Sequence, residues 1–342
     1  MAVTNSSTLS ALTSYIQRKG LSVAEPKLIY ATYGQKVTIP QKNSKTIKFR
    51  RYERFAPTTG AQLANIKLLV EGTTPTAITP SITDVTVNLN QYGSLAQYTD
   101  IASWINEVDV DQNLMARNSE NMQQTVDLVY RDALMSGTNV FRLTDGAGGV
   151  SGAARANVIG SINAPALDKA IRKMKQQDAK FFKEMVGASN KIGTSSVRPS
   201  YVALIHPNVE YDLESVPGYK SISDYGDTSG LMPGEVGSYK NIRFVTSTLA
   251  AVFPDVGAAV SGTGKASTTG TSADVYACLI VGQEAYAVVD LASAAEICYV
   301  PASAKDHNNP LGLWASLGWK AMCGAGILND NWILRFECAV NA

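Results

Sequence analysis

Thr46-Ile47-Lys48-Phe49-Arg50-Arg51-Tyr52-Glu53-Arg54-Phe55 begins in strict alternation, with Ile47 and Phe49 set against Lys48 and Arg50, and then loses phase at Arg51. A period of two marks a strand with one apolar face, and the loss of phase predicts a bulge or turn-out near Arg51. Val85, Val87 and Leu89 alternate in the same way with Thr86, Asn88 and Asn90. Between the two runs, residues 56–83 are rich in Thr, Pro and Gly and carry no core-forming pattern. Connections that long belong to interaction loops and not to ordinary hairpins. Residues 46–92 therefore read as an extended two-stranded projection that makes few contacts with the body of its own subunit.

The first strand also holds the densest basic cluster, Lys45, Lys48, Arg50, Arg51 and Arg54, interleaved with Phe49, Tyr52 and Phe55. A nucleic-acid face has this composition, and so does a strand that pairs with acidic groups on a neighbour. Thirty Lys plus Arg against 29 Asp plus Glu leave a formal charge of +1, so the averaged pull toward phosphates is close to nil. That balance favours the protein neighbour. Lys48, Arg50, Arg51 and Arg54 are the candidate intersubunit contacts.

Upstream, residues 1–40 mix Ser, Thr and Gly with scattered apolar residues and a short helical signal from Leu9 to Ile16, the pattern of an arm that leans on something else. Downstream, Met122, Val126, Val129, Ala133 and Leu134 recur at steps of three and four, which predicts a helix over 120–135 with Gly137 as its stop. Leu167, Ala170, Ile171 and Met174 predict a second helix over 165–177, with Lys169, Arg172, Lys173 and Lys175 on its solvated side. Leu143 to Gly152 is Gly-rich and reads as a surface loop. Tyr201 to Ile205 is a buried strand ended by His206-Pro207, followed by a short helix over 209–214. Ile242 to Val245 and Val275 to Val281 are further strands. Gly257 to Ser272 is a Gly, Ser, Thr and Ala loop expected to be mobile or ordered by a partner. Leu317 to Ile327 and Trp332 to Val340 close the chain as strands, the second with Trp, Leu, Phe, Cys and Val on one face and Arg335 and Glu337 on the other. Helices and antiparallel strands interleave without βαβ alternation, so the fold class is α+β.

The 342 residues are 45% hydrophobic and 17% charged, enough apolar material for one large core or two conjoined ones. No apolar run approaches the ~20 residues of a bilayer span, and Met1 to Ser7 shows no basic residue followed by an apolar stretch, so no export signal or membrane partner is expected. Cys278, Cys298, Cys323 and Cys338 lack Cys-x-x-Cys spacing and read as free thiols in a reducing compartment.

Catalytic constellations fail one by one. In Gly262-Thr263-Gly264-Lys265-Ala266 an alanine stands where a phosphate loop needs its Mg²⁺-binding hydroxyl. Gly146-Ala147-Gly148-Gly149-Val150-Ser151 lacks the third glycine of a dinucleotide fingerprint. No Gly-x-Ser-x-Gly elbow occurs, and His206 and His307 are the only histidines. His206 ends an apolar strand and reads as a structural imidazole. His307 has only Asp306 beside it. No catalytic residue, cofactor or metal is expected, and a hydrolase or lyase built on His307 is the weakest alternative.

The order of these segments carries a resemblance. The loop flanked by Thr46 to Glu53 and Asp84 to Gly93, the helix ending in Leu134-Met135-Ser136-Gly137-Thr138-Asn139-Val140, and the later blocks His206 to Leu213, Gly234 to Ser238 with Ile242 to Val245, and Leu317 to Ala321 with Ile327 to Asp330 together resemble the major capsid proteins of the podophage lineage typified by the N-four phage. The resemblance covers residues 40 to 340. It implies the Hong Kong phage-type capsid fold, with an arm over 1–40, an extended loop over 41–99, a peripheral domain over 100–145 around the spine helix, an axial domain mainly over 146–290, and C-terminal strands over 291–342 completing the sheets. It further implies a homo-oligomer of pentamers and hexamers that closes as an icosahedral shell in the virion. The shell would be made in the host bacterial cytoplasm and enclose double-stranded DNA without sequence-specific recognition. Scaffold, portal and decoration proteins are the accompanying partners. Lys67, in the loop, reads as an ordinary exposed lysine. Encapsulins share the implied architecture, so an encapsulin-type compartment shell is the nearer alternative.

Overall fold

The computed structural model describes residues 29–42, 44–53, 71–72, 74, 81–101, 110–144, 149–151, 154–182, 198–225, 231–260, 262–292, 295–301, 303–305 and 309–342. The expected helical stretch Leu9 to Ile16, Arg54, Lys67 and His307 lie outside these residues.

Four strands come first: β1 (Gln35–Ile39), β2 (Thr46–Tyr52), β3 (Ile82–Asn88) and β4 (Asn90–Thr99). Helix α1 (Val110–Leu134) follows, then β5 (Val140–Leu143), β6 (Val150–Ser151), α2 (Ala164–Gln176), β7 (Tyr201–Ile205) and α3 (Pro207–Glu214). The chain continues through β8 (Tyr219–Ser221), β9 (Glu235–Tyr239), β10 (Ile242–Thr246), β11 (Val252–Phe253) and β12 (Val275–Val281). It ends with β13 (Tyr286–Leu291), β14 (Glu296–Val300), β15 (Trp314–Ile327) and β16 (Ile333–Ala339).

Two large sheets organise these elements. One has five strands, ordered β1-β13-β15-β14, with β4 on the other side of β15. The other has nine, ordered β6-β5-β16-β12-β7-β10-β9-β8, with β11 also on β12. The last two long strands divide between the sheets, β15 to the first and β16 to the second. Residues 90–99, the last part of the expected loop, pair along β15 from Asn90↔Cys323 to Thr99↔Trp314. β1 pairs in parallel with β13, so the chain is already in a sheet at Gln35.

The nine-stranded sheet packs α2 and α3 on one face. The apolar stripe of α2 lands as its spacing predicts, with Ala166, Leu167, Ala170, Ile171 and Met174 all buried. Asn163 caps the helix by accepting from Ala166 N at 3.0 Å, and Pro165 fits its first turn. The other face meets α1 and part of the five-stranded sheet in a second core that includes Tyr130, Leu134, Val202, Leu279, Val281 and Ile333. Covered on both faces, β7 and β12 read as unbroken apolar runs.

Three expectations change. Helix α1 starts at Val110, ten residues before its apolar stripe is legible, because the stretch from Val110 to Ser119 is largely polar. Its stop does not use a left-handed glycine: Gly137 has no positive φ, and its missing Cβ is needed for close approach instead. A methyl there would lie 3.0 Å from Asp330 Oδ1, which accepts a bond from Thr138 N at 3.0 Å. The third change is the 257–272 loop, which its own chain holds in place. Gly257 N donates to Ala273 O and Ala258 N to Val158 O, both at 2.9 Å, and Ala266 N donates to Val340 O at 2.9 Å. The buried Asp274 carboxylate accepts from Asp255 N at 2.8 Å and from Thr268 Oγ1 at 3.0 Å. The small polar side chains that look featureless in sequence are its internal hydrogen-bonding groups.

Candidate assembly surfaces

β2 and β3 form a separate two-stranded sheet in unbroken register, from Thr46↔Asn88 to Tyr52↔Ile82. The predicted bulge at Arg51 is absent. Alternation continues through Tyr52, and Arg51 simply occupies an inward position in line with Ile47 and Phe49. Its long side chain reaches past the apolar row, where Nη1 donates to Leu328 O at 3.1 Å and Nε to Glu53 Oε1 at 2.8 Å.

The root of this hairpin is seated on the five-stranded sheet, against the expectation of few contacts. Val87 and Leu89 are buried with Ile39, Ala287 and Val289, and Ile47 and Phe49 pack on the same cluster. Two glycines of β15 make the seat. A Cβ on Gly324 would stand 2.5 Å from Asn88 O, and one on Gly326 would collide with Val87 Cγ2. Only a strand bare at those positions lets another backbone cross so closely. Burial then falls along the hairpin: Val87 is 3% exposed, while Ile82 and Tyr52 at the far end are 49% and 67% exposed. The pair thus leaves the body toward residues 54–80, which lie largely outside the described residues.

The outward row of the hairpin carries two of the candidate contact residues, Lys48 and Arg50. Arg50 sits opposite Asp84 and forks onto it, Nε to Oδ1 at 2.9 Å and Nη2 to Oδ2 at 3.2 Å. Lys48 Nζ approaches the same carboxylate at 3.8 Å. The Arg50 hydrogen bonds hold Asp84 below its usual pKa, and Glu53 is likewise held low by Thr83 and Arg51. Two exposed cations share one anion, which leaves this row positive.

Polar centres that the sequence reading did not single out lie deeper. Glu337 of β16 is fully buried and faces three guanidinium groups. Arg155 donates to Oε1 at 2.7 Å and to Oε2 at 3.2 Å, Arg142 donates to Oε2 at 2.8 Å, and Arg335 Nε lies 3.0 Å from Oε1. Burial alone would raise this carboxyl's pKa, but the arginines overcome it and the net shift is downward. Arg155 also stacks on Phe253 at 3.6 Å. The sequence showed the Arg335/Glu337 face and nothing to say that it is covered. On α1, the buried Asp127 accepts from Ile29 N and Ala31 N, each at 3.1 Å, and fixes where the chain emerges from residues 1–28.

His206 behaves as a structural group: Nδ1 accepts from Asn208 N at 3.1 Å and caps α3. Burial lowers its pKa, which suits the neutral ring that this bond requires. Among the described residues no group of His, Cys, Asp or Glu is placed to hold a metal ion, and no helix is long and apolar enough to cross a membrane. All four cysteines are free thiols, with Cys278, Cys323 and Cys338 buried. Exposed apolar side chains gather instead near the β4, β14 and 309–313 end of the five-stranded sheet, among them Leu95, Val300, Leu311 and Leu313.

This architecture has known counterparts. A family model described as phage capsid protein matches residues 82–328, more than half of the chain. The chain belongs to the phage capsid protein family. Solved capsids share its fold from end to end. The capsid of the cyanophage P-SCSP1u superposes with a TM-score of 0.62 at 14% identity, covering 97% of this chain and 94% of that one. The capsid of Ralstonia phage GP4 gives 0.61 at 13% identity, covering 100% and 99%, and that of cyanophage Pam1 gives 0.60 at 10%, covering 98% of each. No sequence match exists among the curated proteins. This capsid protein therefore has the Hong Kong phage-type fold and is a major capsid protein, a structural component of the virion shell.

Proposed function

We propose that this capsid protein assembles into pentamers and hexamers that close as an icosahedral shell around packaged double-stranded DNA, and that it works by binding and geometry and not by catalysis. The observation that carries the reading is the hairpin: it is seated by its root on Gly324 and Gly326 and directs an exposed basic row away from its own core. A subunit that extends such an element can bury it only against a neighbour, and closed symmetry multiplies each such contact into a lattice. The five-stranded sheet with α1 corresponds to the peripheral domain, and the nine-stranded sheet with α2 and α3 to the axial domain. The arm and the extended loop would take in residues 1–28 and 54–80, most of which lie outside the described residues. Scaffold, portal and decoration proteins complete the expected partners, and the N-four-like podophages are the proposed lineage.

Lys48, Arg50, Arg51 and Arg54 are the proposed intersubunit contacts, with at least one arginine reaching an Asp or Glu of the adjacent subunit. Arg50 can offer its outer edge while Asp84 holds the fork in place, and arginine suits a second carboxylate better than lysine does. Negative-stain images of purified protein, paired with circular dichroism, test the whole reading. Closed particles are expected from the parent, while Arg50→Ala, Arg51→Ala and Arg54→Ala subunits should stay folded and at least one should fail to form particles. Particles from all three variants in parental yield would remove the hairpin from the contact. Absence of any closed shell from the parent would refute the assembly itself.

A further inference from the structure

A cavity of about 390 Å³ opens between α1 and the five-stranded sheet. Its walls are mostly apolar, from Met122, Val126 and Tyr130 of α1 and from Leu291, Ala321 and Met322 of the sheet. A dry cavity of ~150 Å³ already holds a benzene ring, so this one has room for two or three aliphatic side chains. It lies where β13 ends at Leu291 and β14 has not yet begun, which leaves Ala321 and Met322 of β15 without a partner strand on that edge among the described residues. Ala31 lines the cavity and Asp127 lies on its wall, so the clasp between Asp127 and the Ile29 and Ala31 amides sets the start of the described chain at the cavity mouth.

We propose that the occupant is the chain's own N-terminal segment, residues 9–16, docked in the unassembled subunit as a short amphipathic helix. Leu9, Leu12 and Ile16 fall at i, i+3 and i+7 and share one helix face. Arg18 and Lys19 follow after Gln17, and the exposed Asp290 carboxylate stands on the cavity lining to meet them. Gly20 comes next and suits a helix end. Residues 17–28 join the segment to Ile29 and span up to about 40 Å when extended, several times what a fold-back into an adjacent cavity requires. A tether this short holds the segment near millimolar effective concentration, about a thousandfold above a micromolar neighbour. In this state the arm is stored on its own subunit before it is needed elsewhere. The inference stands apart from the shell reading, and its failure would leave that reading intact.

Disulfide trapping in the dilute, unassembled full-length subunit tests it. Leu12→Cys is combined with Met122→Cys in a background of Cys298→Ser and Cys323→Ala, which removes the native thiol on the cavity lining, and a mild thiol oxidant is added. Docking in cis gives a crosslinked monomer, and adding Ile16→Asp should slow its formation at least about tenfold, because a charge on the docking face forfeits the apolar burial. A control pair, Leu12→Cys with the exposed Tyr211→Cys on α3, should crosslink slowly whether or not Ile16→Asp is present. A crosslinked dimer, no crosslink in a subunit of parental circular dichroism, or a rate unaffected by Ile16→Asp would each overturn the proposal.

Discussion

Replacing Glu337 with Gln keeps the shape of a fully buried side chain and removes a charge that three arginines share. Four contacts meet the carboxylate, two on each oxygen: Arg155 Nη2 and Arg335 Nε on Oε1, and Arg142 Nε and Arg155 Nε on Oε2. The amide turns one oxygen into a donor, so two of the four become donor against donor whichever way it points. Removing one partner of a buried ion pair costs about 3–5 kcal/mol, because the remaining charge stays desolvated. Here the arginine side chains keep 12–24% of their surface in water, which places the expected loss near the lower figure, about 3 kcal/mol. Equilibrium urea unfolding of the unassembled subunit at pH 7 measures it. The pH dependence supplies an independent check. Because the folded pKa is lowered, the contribution of Glu337 is complete above its unfolded value of about 4.3 and is lost as the pH falls through the folded value. The gap between parent and variant should therefore be widest at neutral pH and narrow in acid below about pH 4. A loss under about 1 kcal/mol at pH 7, the size of an ordinary hydrogen bond, would refute the reasoning, and so would a gap that stays constant into acid.

Gly324→Ala should cost about 1–3 kcal/mol and loosen the hairpin specifically, since its Cβ meets the Asn88 backbone; faster amide exchange in β2 and β3 with unchanged exchange in β12 is the expected pattern. His206→Ala should destabilise the subunit by about 0.5–2 kcal/mol through loss of the α3 cap, and His206→Asn should recover most of it; equal losses in thermal unfolding would show that the cap is not the cause. Thiol labelling of denatured, non-reduced particles should count four cysteines per chain, and two or fewer would contradict the free thiols.

Much of the local structure was legible in the sequence. The period-two runs at 46–50 and 85–89, the four-residue apolar face of α2 and the unbroken apolar run of β12 all report which faces lose water, and that requirement is written residue by residue. The order of those segments was also enough to point to the capsid family. Two of the misreadings share one cause. Arg51 looked like a break in phase because its inward position is apolar only along its stem, and the carbonyl it reaches, Leu328 O, lies 277 residues away. Gly257 to Ser272 looked unstructured because two of its partners, Val158 and Val340, belong to other parts of the chain.

The sequence by itself determined the most regular strands and helices and the faces they turn inward, because each depends on side-chain type and local spacing. Only the tertiary structure decided that Glu337 is buried among three arginines, that Gly324 and Gly326 form a seat for β3, and that Asp127 clasps the chain where it emerges. In each case the energy lies in what approaches across a long separation: a carboxylate is costly or stabilising according to the charges brought to it, and a missing Cβ matters only when another backbone comes within contact distance.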